Sequence, residues 1–187
     1  MGHYIANLRD IEFCLFDLFE RESILGKSIY KDLDRETAMG MLEEVKRMAE
    51  NDLAASFIDG DRQEVKFDPK TGEAKLPESF KKSYKTFMDN EWWRIDAPVE
   101  LGGTAIPQSV RWAIAEMVLG SNPAIHIYAS GTAFAHVAYV FGTASAKTKK
   151  TTTLSKTNHD TGRTKQTSSH HTSKSCLHCL AHIHRQQ

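Results

Sequence analysis

Cys176 and Cys179 stand two residues apart near the end of this 187-residue chain, with His178 between them and His182 and His184 just behind. Thiolates and imidazoles are the usual ligands of zinc. Structural zinc motifs, however, separate their two ligand pairs by roughly a dozen or more residues that fold around the ion. Here only Leu180 and Ala181 lie between Cys179 and His182, so the cluster reads as adventitious metal binding and no metal site is assigned. Lys147, Lys149 and Lys150 could meet phosphates, but no aromatic residue accompanies them for base stacking, and nucleic acid is not expected as a partner. Trp92 and Trp93 adjoin Arg94, a possible stacked-cation platform; on the apolar side of a helix, Trp92 reads instead as core. Glu116 sits in an apolar stretch where an ionised group needs a partner, Arg111 being the nearest cation. His126 and His136 read as packed side chains. No Gly-rich phosphate loop, Ser/His/Asp grouping or pair of catalytic carboxylates is found, and no catalytic residue is assigned.

The elements that would carry such groups are unevenly distributed. Residues 1–142 hold 16 Lys and Arg against 23 Asp and Glu, whereas residues 143–187 hold eight against one and contain no Phe, Tyr or Trp. The net charge of zero is therefore a cancellation. The later segment lacks the apolar area to offset about 1–2 kcal/mol per residue of ordering entropy, and disorder is expected. The earlier segment is of single-domain size. Cys14, in an apolar run, is expected to be a buried thiol. No basic leader precedes an apolar stretch, so no secretory signal is expected. Residues 117–146 carry no charged side chain, but Gly120, Pro123, His126 and His136 interrupt them, and buried helices are preferred to a membrane span.

Helical spacing appears at Leu8 to Phe19, where Phe13, Cys14 and Phe16 widen the apolar surface and imply cover on more than one side. It appears again from an Asp34 N-cap to about Phe57, stopped by Asp59-Gly60-Asp61. Alternation around Pro69-Lys70-Thr71-Gly72 predicts a small hairpin. Pro77 to Trp92 returns to helix, with Phe80, Tyr84, Phe87 and Met88 on one face and Lys81, Lys82 and Lys85 on the other. Further helices are predicted from Ser109 to Gly120, from Pro123, and from Thr132 to Phe141. About six helices with little strand make an all-α bundle.

The run Trp92-Trp93-Arg94-Ile95-Asp96-Ala97-Pro98-Val99-Glu100-Leu101-Gly102-Gly103 resembles the loop that follows a helix in acyl-CoA dehydrogenases. Ala115-Glu116-Met117-Val118-Leu119-Gly120, Ser130-Gly131 and Gly142-Thr143 then follow in that family's order. Met1 to Leu18 and Phe57 to Arg62 resemble its subgroup with an N-terminal extension. The resemblance implies an extension over residues 1–33, the family's N-terminal helical domain over 34–142, and a tail over 143–187 that departs from the family and reads as a product of a shifted coding frame.

It further implies FAD as cofactor, acyl-CoA as substrate oxidised to the trans-2-enoyl-CoA, electron-transfer flavoprotein or another acceptor, homo-oligomers in full-length relatives, and a cytoplasmic setting. The catalytic glutamate belongs to a domain that this sequence does not match, so the chain is expected to be inactive alone and to expose an apolar patch. Its contribution would be the acyl-chain pocket, matched here by Tyr128, Ala129, Ser130, Gly131, Thr132, Ala133 and Phe134, whose small residues would leave room for a chain. Close packing of helices is the alternative reading of those small residues. Pro98, Gly102 and Gly103 would shape the preceding turn. The competing reading is a non-enzymatic helical interaction module with a basic, metal-binding tail.

Overall fold

The computed structural model describes residues 2–142 and is all-α but for one hairpin. The expected tail, the Cys/His cluster and the lysines at 147–150 lie outside the described residues. The chain divides into two compact units, Met1–Ile95 with Ala105–Ala129, and Asp96–Thr104 with the residues from Ser130 onward.

The first unit is built on two helices of 14 residues each, α2 (Arg35–Met48) and α5 (Gln108–Ser121), which pack on one another. Their contact follows from the three- and four-residue steps of Ala38, Leu42, Val45 and Met48 against Val110, Ile114, Met117 and Val118, all buried. Asp34 begins α2 as expected, its carboxylate accepting from the Thr37 amide at 2.7 Å. That hydrogen bond to a main-chain N–H holds the Asp34 carboxyl below the usual aspartate range.

Beyond Met48 the helix widens into one π-type turn, Ala49–Leu53, tightens into a 3₁₀ turn, Ala54–Ser56, and resumes as α3 (Phe57–Arg62). The Asp59-Gly60-Asp61 stop expected from the sequence is overridden, for the helix runs through it to Arg62. Asp59 is held there through its side chain, which accepts from Ser79 and Gln63.

The widened turn shifts its main-chain bonds by one residue, the Ala54 amide donating to the Ala49 carbonyl, and buried side chains add donors to the carbonyls of this stretch. Ser121 donates to the Ala49 carbonyl at 2.6 Å and Ser83 to that of Asp52 at 2.6 Å. The Leu53 carbonyl accepts from Ser56 at 3.3 Å and Asn122 at 3.4 Å, while Asn122 also donates to the Ser56 hydroxyl at 3.0 Å. Glu50 accepts from the Ala6 amide at 3.0 Å, fastening the N-terminal strand of chain to the same turn.

The hairpin forms where alternation predicts it, β1 (Lys66–Asp68) pairing antiparallel with β2 (Glu73–Lys75). α4 (Glu78–Asp89) buries Phe80, Ser83 and Phe87 and exposes its lysines. Trp92 is buried but belongs to a 3₁₀ turn beyond α4, not to the helix. α5 passes through Gly120 to Ser121, and α6 (Pro123–Ala129) starts at the proline. Gly120 is a point of close approach instead of a stop: a β-carbon there would lie 2.4 Å from the Tyr4 ring.

Near the N-terminus, α1 (Leu8–Glu12) gives way to a π-type turn, Phe13–Leu18. The expected two-sided cover is absent there, since Phe13, Leu18, Phe19 and Cys14 are exposed while Ile11, Leu15 and Phe16 are buried. The π-type turn rotates side chains out of helical phase, so an apolar run that would encircle a regular helix divides into an inner and an outer set. Glu116 and His136 are likewise exposed and His126 half-buried; an exposed Glu116 is hydrated and needs no buried partner. Among the described residues no helix is long and apolar enough to cross a membrane.

Two outcomes are expected. Ser121→Ala removes the second donor of the Ala49 carbonyl, which keeps the Ala54 amide, and should lower unfolding free energy by about 0.5–1.5 kcal/mol in a denaturant titration. Because the Asp34 pKa is lower in the folded chain than in the unfolded one, its contribution is present above the unfolded value and lost as pH falls through the folded value. The stability difference between the parent chain and Asp34→Ala should therefore shrink across the acidic range below the usual aspartate pKa, in thermal melts at stepped pH.

Candidate functional site

The residues singled out from the sequence lie on three pieces of backbone. Tyr128 and Ala129 end α6 in the first unit; Ser130 is the break; and Gly131, Thr132, Ala133 and Phe134 open α7 (Gly131–Phe141) in the second.

In the first unit the Tyr128 ring is set by aromatic packing. It meets Phe80 edge-on, centroids 5.1 Å apart at 69°, and Tyr84 edge-on at 6.1 Å and 72°; Phe80 and Tyr84 lie 6.3 Å apart and nearly parallel. Edge-to-face contacts of this kind fix ring orientation beyond what area burial alone would do. Phe80 and Tyr84 owe their position to a four-residue step on α4, which presents both rings on one face. Burial, and secondarily the neighbouring Tyr128, push the Tyr84 phenol pKa up. The sequence places Phe80 and Tyr84 on an apolar face, yet nothing in their spacing says that Tyr128, more than forty residues on, closes the group. Ala129 is buried, whereas half of Tyr128 faces solvent.

In the second unit, a β-carbon built on Gly131 meets no atom within 4 Å. Further along α7, Phe134, Val137, Val140 and Phe141 are 43%, 51%, 49% and 82% exposed. A helix carrying so many large apolar side chains toward solvent presents a surface of the kind that marks interaction sites.

The loop Pro98–Gly103 is also in this unit. A 3₁₀ turn, Val99–Leu101, follows Pro98, and Gly102 adopts φ +83° at its end. The Pro98 carbonyl accepts from the amides of Leu101 and Gly103, both at 2.9 Å, and the Val99 carbonyl accepts from Gly102 at 3.0 Å. The close approach is at Gly103, where a β-carbon would stand 1.8 Å from the Ala97 oxygen. Gly102 thus serves the left-handed conformation and Gly103 the closure.

Arg94 lies 5.7 Å over the Trp93 ring and pairs with Glu91 at 3.1 Å. Trp92 and Trp93 are both buried, so the cation in this sequence run is met by the neighbouring indole and a surface carboxylate. Among the described residues no group of three His, Cys, Asp or Glu side chains could hold a metal.

No family model matches the chain. Over 147 residues it is 44% identical to the broad-specificity linear acyl-CoA dehydrogenase FadE5 of Mycobacterium tuberculosis, covering 79% of this chain. This chain belongs with the acyl-CoA dehydrogenases. A second member, the 3-methylmercaptopropionyl-CoA dehydrogenase of Ruegeria pomeroyi, is 30% identical over 115 residues, or 62% of the chain. The chain spans 24% of the first of these proteins and 19% of the second. It is thus a segment related to an oxidoreductase family, and its described residues are helical as expected.

Gly103→Ala should break the loop closure. A β-carbon cannot occupy the space of a carbonyl oxygen, and the loss is expected to be at least about 2 kcal/mol locally. Amide exchange at Leu101 and Gly103 should accelerate in the variant while the amides of α2 stay protected.

Proposed function

We propose that the chain is the helical front segment of an FAD-dependent acyl-CoA dehydrogenase of the β-oxidation type, that it contributes part of the wall of the acyl-chain pocket, and that it does not turn over substrate alone. The identity with FadE5 carries this reading. The extension over 1–33 and the helical domain over 34–142 are the divisions we assign.

The pocket residues are Tyr128 to Phe134. Tyr128 is held by Phe80 and Tyr84, which would keep its ring from swinging into the space a chain needs. In the second unit, Gly131 would leave room of its own, because chain-length preference follows the volume that side chains leave free. Pro98, Gly102 and Gly103 shape a turn whose own residues supply no acid, base or nucleophile, and no catalytic role is assigned to any described residue.

FAD does not fit the described residues as a site of their own. A flavin dinucleotide brings a pyrophosphate and a ring edge of carbonyls and nitrogens, which need several convergent donors. Among the described residues Ser56, Ser83, Ser121 and Asn122 are buried and committed to main-chain carbonyls or to one another, and the buried donor atoms without a hydrogen-bond partner, on Arg21, Trp92, Arg94 and Ser109, are spread over three separate elements. The redox step and proton abstraction are therefore assigned to parts of the relatives that this chain does not span, together with their acceptor, an electron-transfer flavoprotein or its equivalent.

The chain purified alone should show no flavin absorbance and form no enoyl-CoA from any acyl-CoA. Residues 1–142 joined to the remaining part of FadE5 should recover both. In that hybrid, Gly131→Leu should lower kcat/KM at least about tenfold for the longest acyl chains and less for short ones. Turnover by the isolated chain, or equal loss for all chain lengths, would overturn the reading.

A further inference from the structure

The hairpin is the element that its own contacts explain least. β1 and β2 are exposed at every position, Phe67 being 64% exposed, and they form a two-stranded sheet with no third strand among the described residues. A lone two-stranded hairpin is marginal in water. This one is weakened further by its register: Lys66 stands opposite Lys75 and Asp68 opposite Glu73, while Phe67 faces only Ala74. Like charges directly across a ladder destabilise it.

The same residues are complementary when β1 meets a copy of itself. An antiparallel pair related by a two-fold axis through Phe67 sets Lys66 against Asp68 of the second copy, Asp68 against its Lys66, and the two Phe67 rings against each other. Every charge pair that is repulsive within the hairpin has an attractive counterpart across the axis, and the exposed aromatic ring acquires an aromatic partner. The edge of β2 would centre on Ala74, which offers no ring, so β1 is the favoured edge.

We propose that β1 is a docking edge for the β1 of a second copy of this chain, giving a four-stranded antiparallel sheet of order β2-β1-β1-β2 about a two-fold axis. Such a contact is self-complementary, as a two-fold interface must be. Pro69 has no N–H and limits the new ladder to the length of β1, so the contact is small and belongs with weak, reversible interfaces.

The test is sedimentation velocity of the full chain across rising concentration, with single and paired charge changes. Lys66→Glu sets Glu against Asp68 of the second copy, and Asp68→Lys sets Lys against its Lys66. The axis repeats each pair, so either change alone should raise the dimer dissociation constant about tenfold or more. The double variant, Lys66→Glu with Asp68→Lys, should return it to within about threefold of the parent.

Lys66→Glu also gives the hairpin an attractive pair of its own with Lys75, so a weaker dimer in that variant cannot be blamed on a melted hairpin; Asp68→Lys gives up the turn bond from the Lys70 amide at 2.8 Å and is read against the double variant, which lacks the same bond. A chain that stays monomeric at every concentration would overturn the proposal. So would a dimer whose constant neither single change moves, which would place self-association on another surface.

Discussion

The structure turns on one irregularity, the widened turn at Ala49–Leu53 that interrupts an otherwise continuous helical path from Arg35 to Arg62. A regular helix closes its own hydrogen bonds and needs neighbours only for apolar contact. A π-type turn shifts its bonds by one residue, as the Ala54 amide does in reaching the Ala49 carbonyl, and neighbouring side chains add further donors worth about 0.5–1.5 kcal/mol each. Ser121 and Asn122 at the end of α5, Ser83 on α4 and Ser56 just beyond the turn are those donors. The same few residues fix where α5 ends relative to α2, how α4 crosses, and through Glu50 where the N-terminal peptide lies. Apolar packing draws these helices together without choosing their rotation or register. The polar bonds at the turn choose both.

Most of the helices can be read from sequence because burial imposes a three- and four-residue rhythm, and α2, α4 and α5 keep it. The N-cap at Asp34, the proline opening α6 and the hairpin flanking Pro69-Lys70-Thr71-Gly72 are equally local signals. The misread places share a cause. At Gly60 and Gly120 a residue that often ends helices lies within one, held by contacts from distant segments, Ser79 on Asp59 in one case and Tyr4 in the other. At Phe13 to Phe19 the apolar run is real, but the π-type turn takes it out of phase, so Cys14 and three large apolar side chains face outward. Local sequence carries no mark of a one-residue change in hydrogen-bond register.

The candidate site shows the same division. Gly102 and Gly103 stand out as a turn by composition alone, but their distinct duties, a left-handed residue and a closure against the Ala97 oxygen, depend on geometry. Tyr128 stands out by family resemblance, and its support from Phe80 and Tyr84 comes from the crossing of α4 and α6. Fold and the aromatic support of Tyr128 are thus both present among the described residues.

The notch at Gly120 has an evolutionary corollary. The Tyr4 ring occupies the volume a side chain at 120 would fill, so neither position is free to change while the other stays as it is. A side chain at 120 requires the half-buried Tyr4 ring to shift or shrink, and a smaller residue at 4 frees room for a side chain at 120. Although 116 positions apart along the chain, the two should covary among descendants of this sequence, and a lineage that inherits one half of the pair without the other should carry a destabilised bundle.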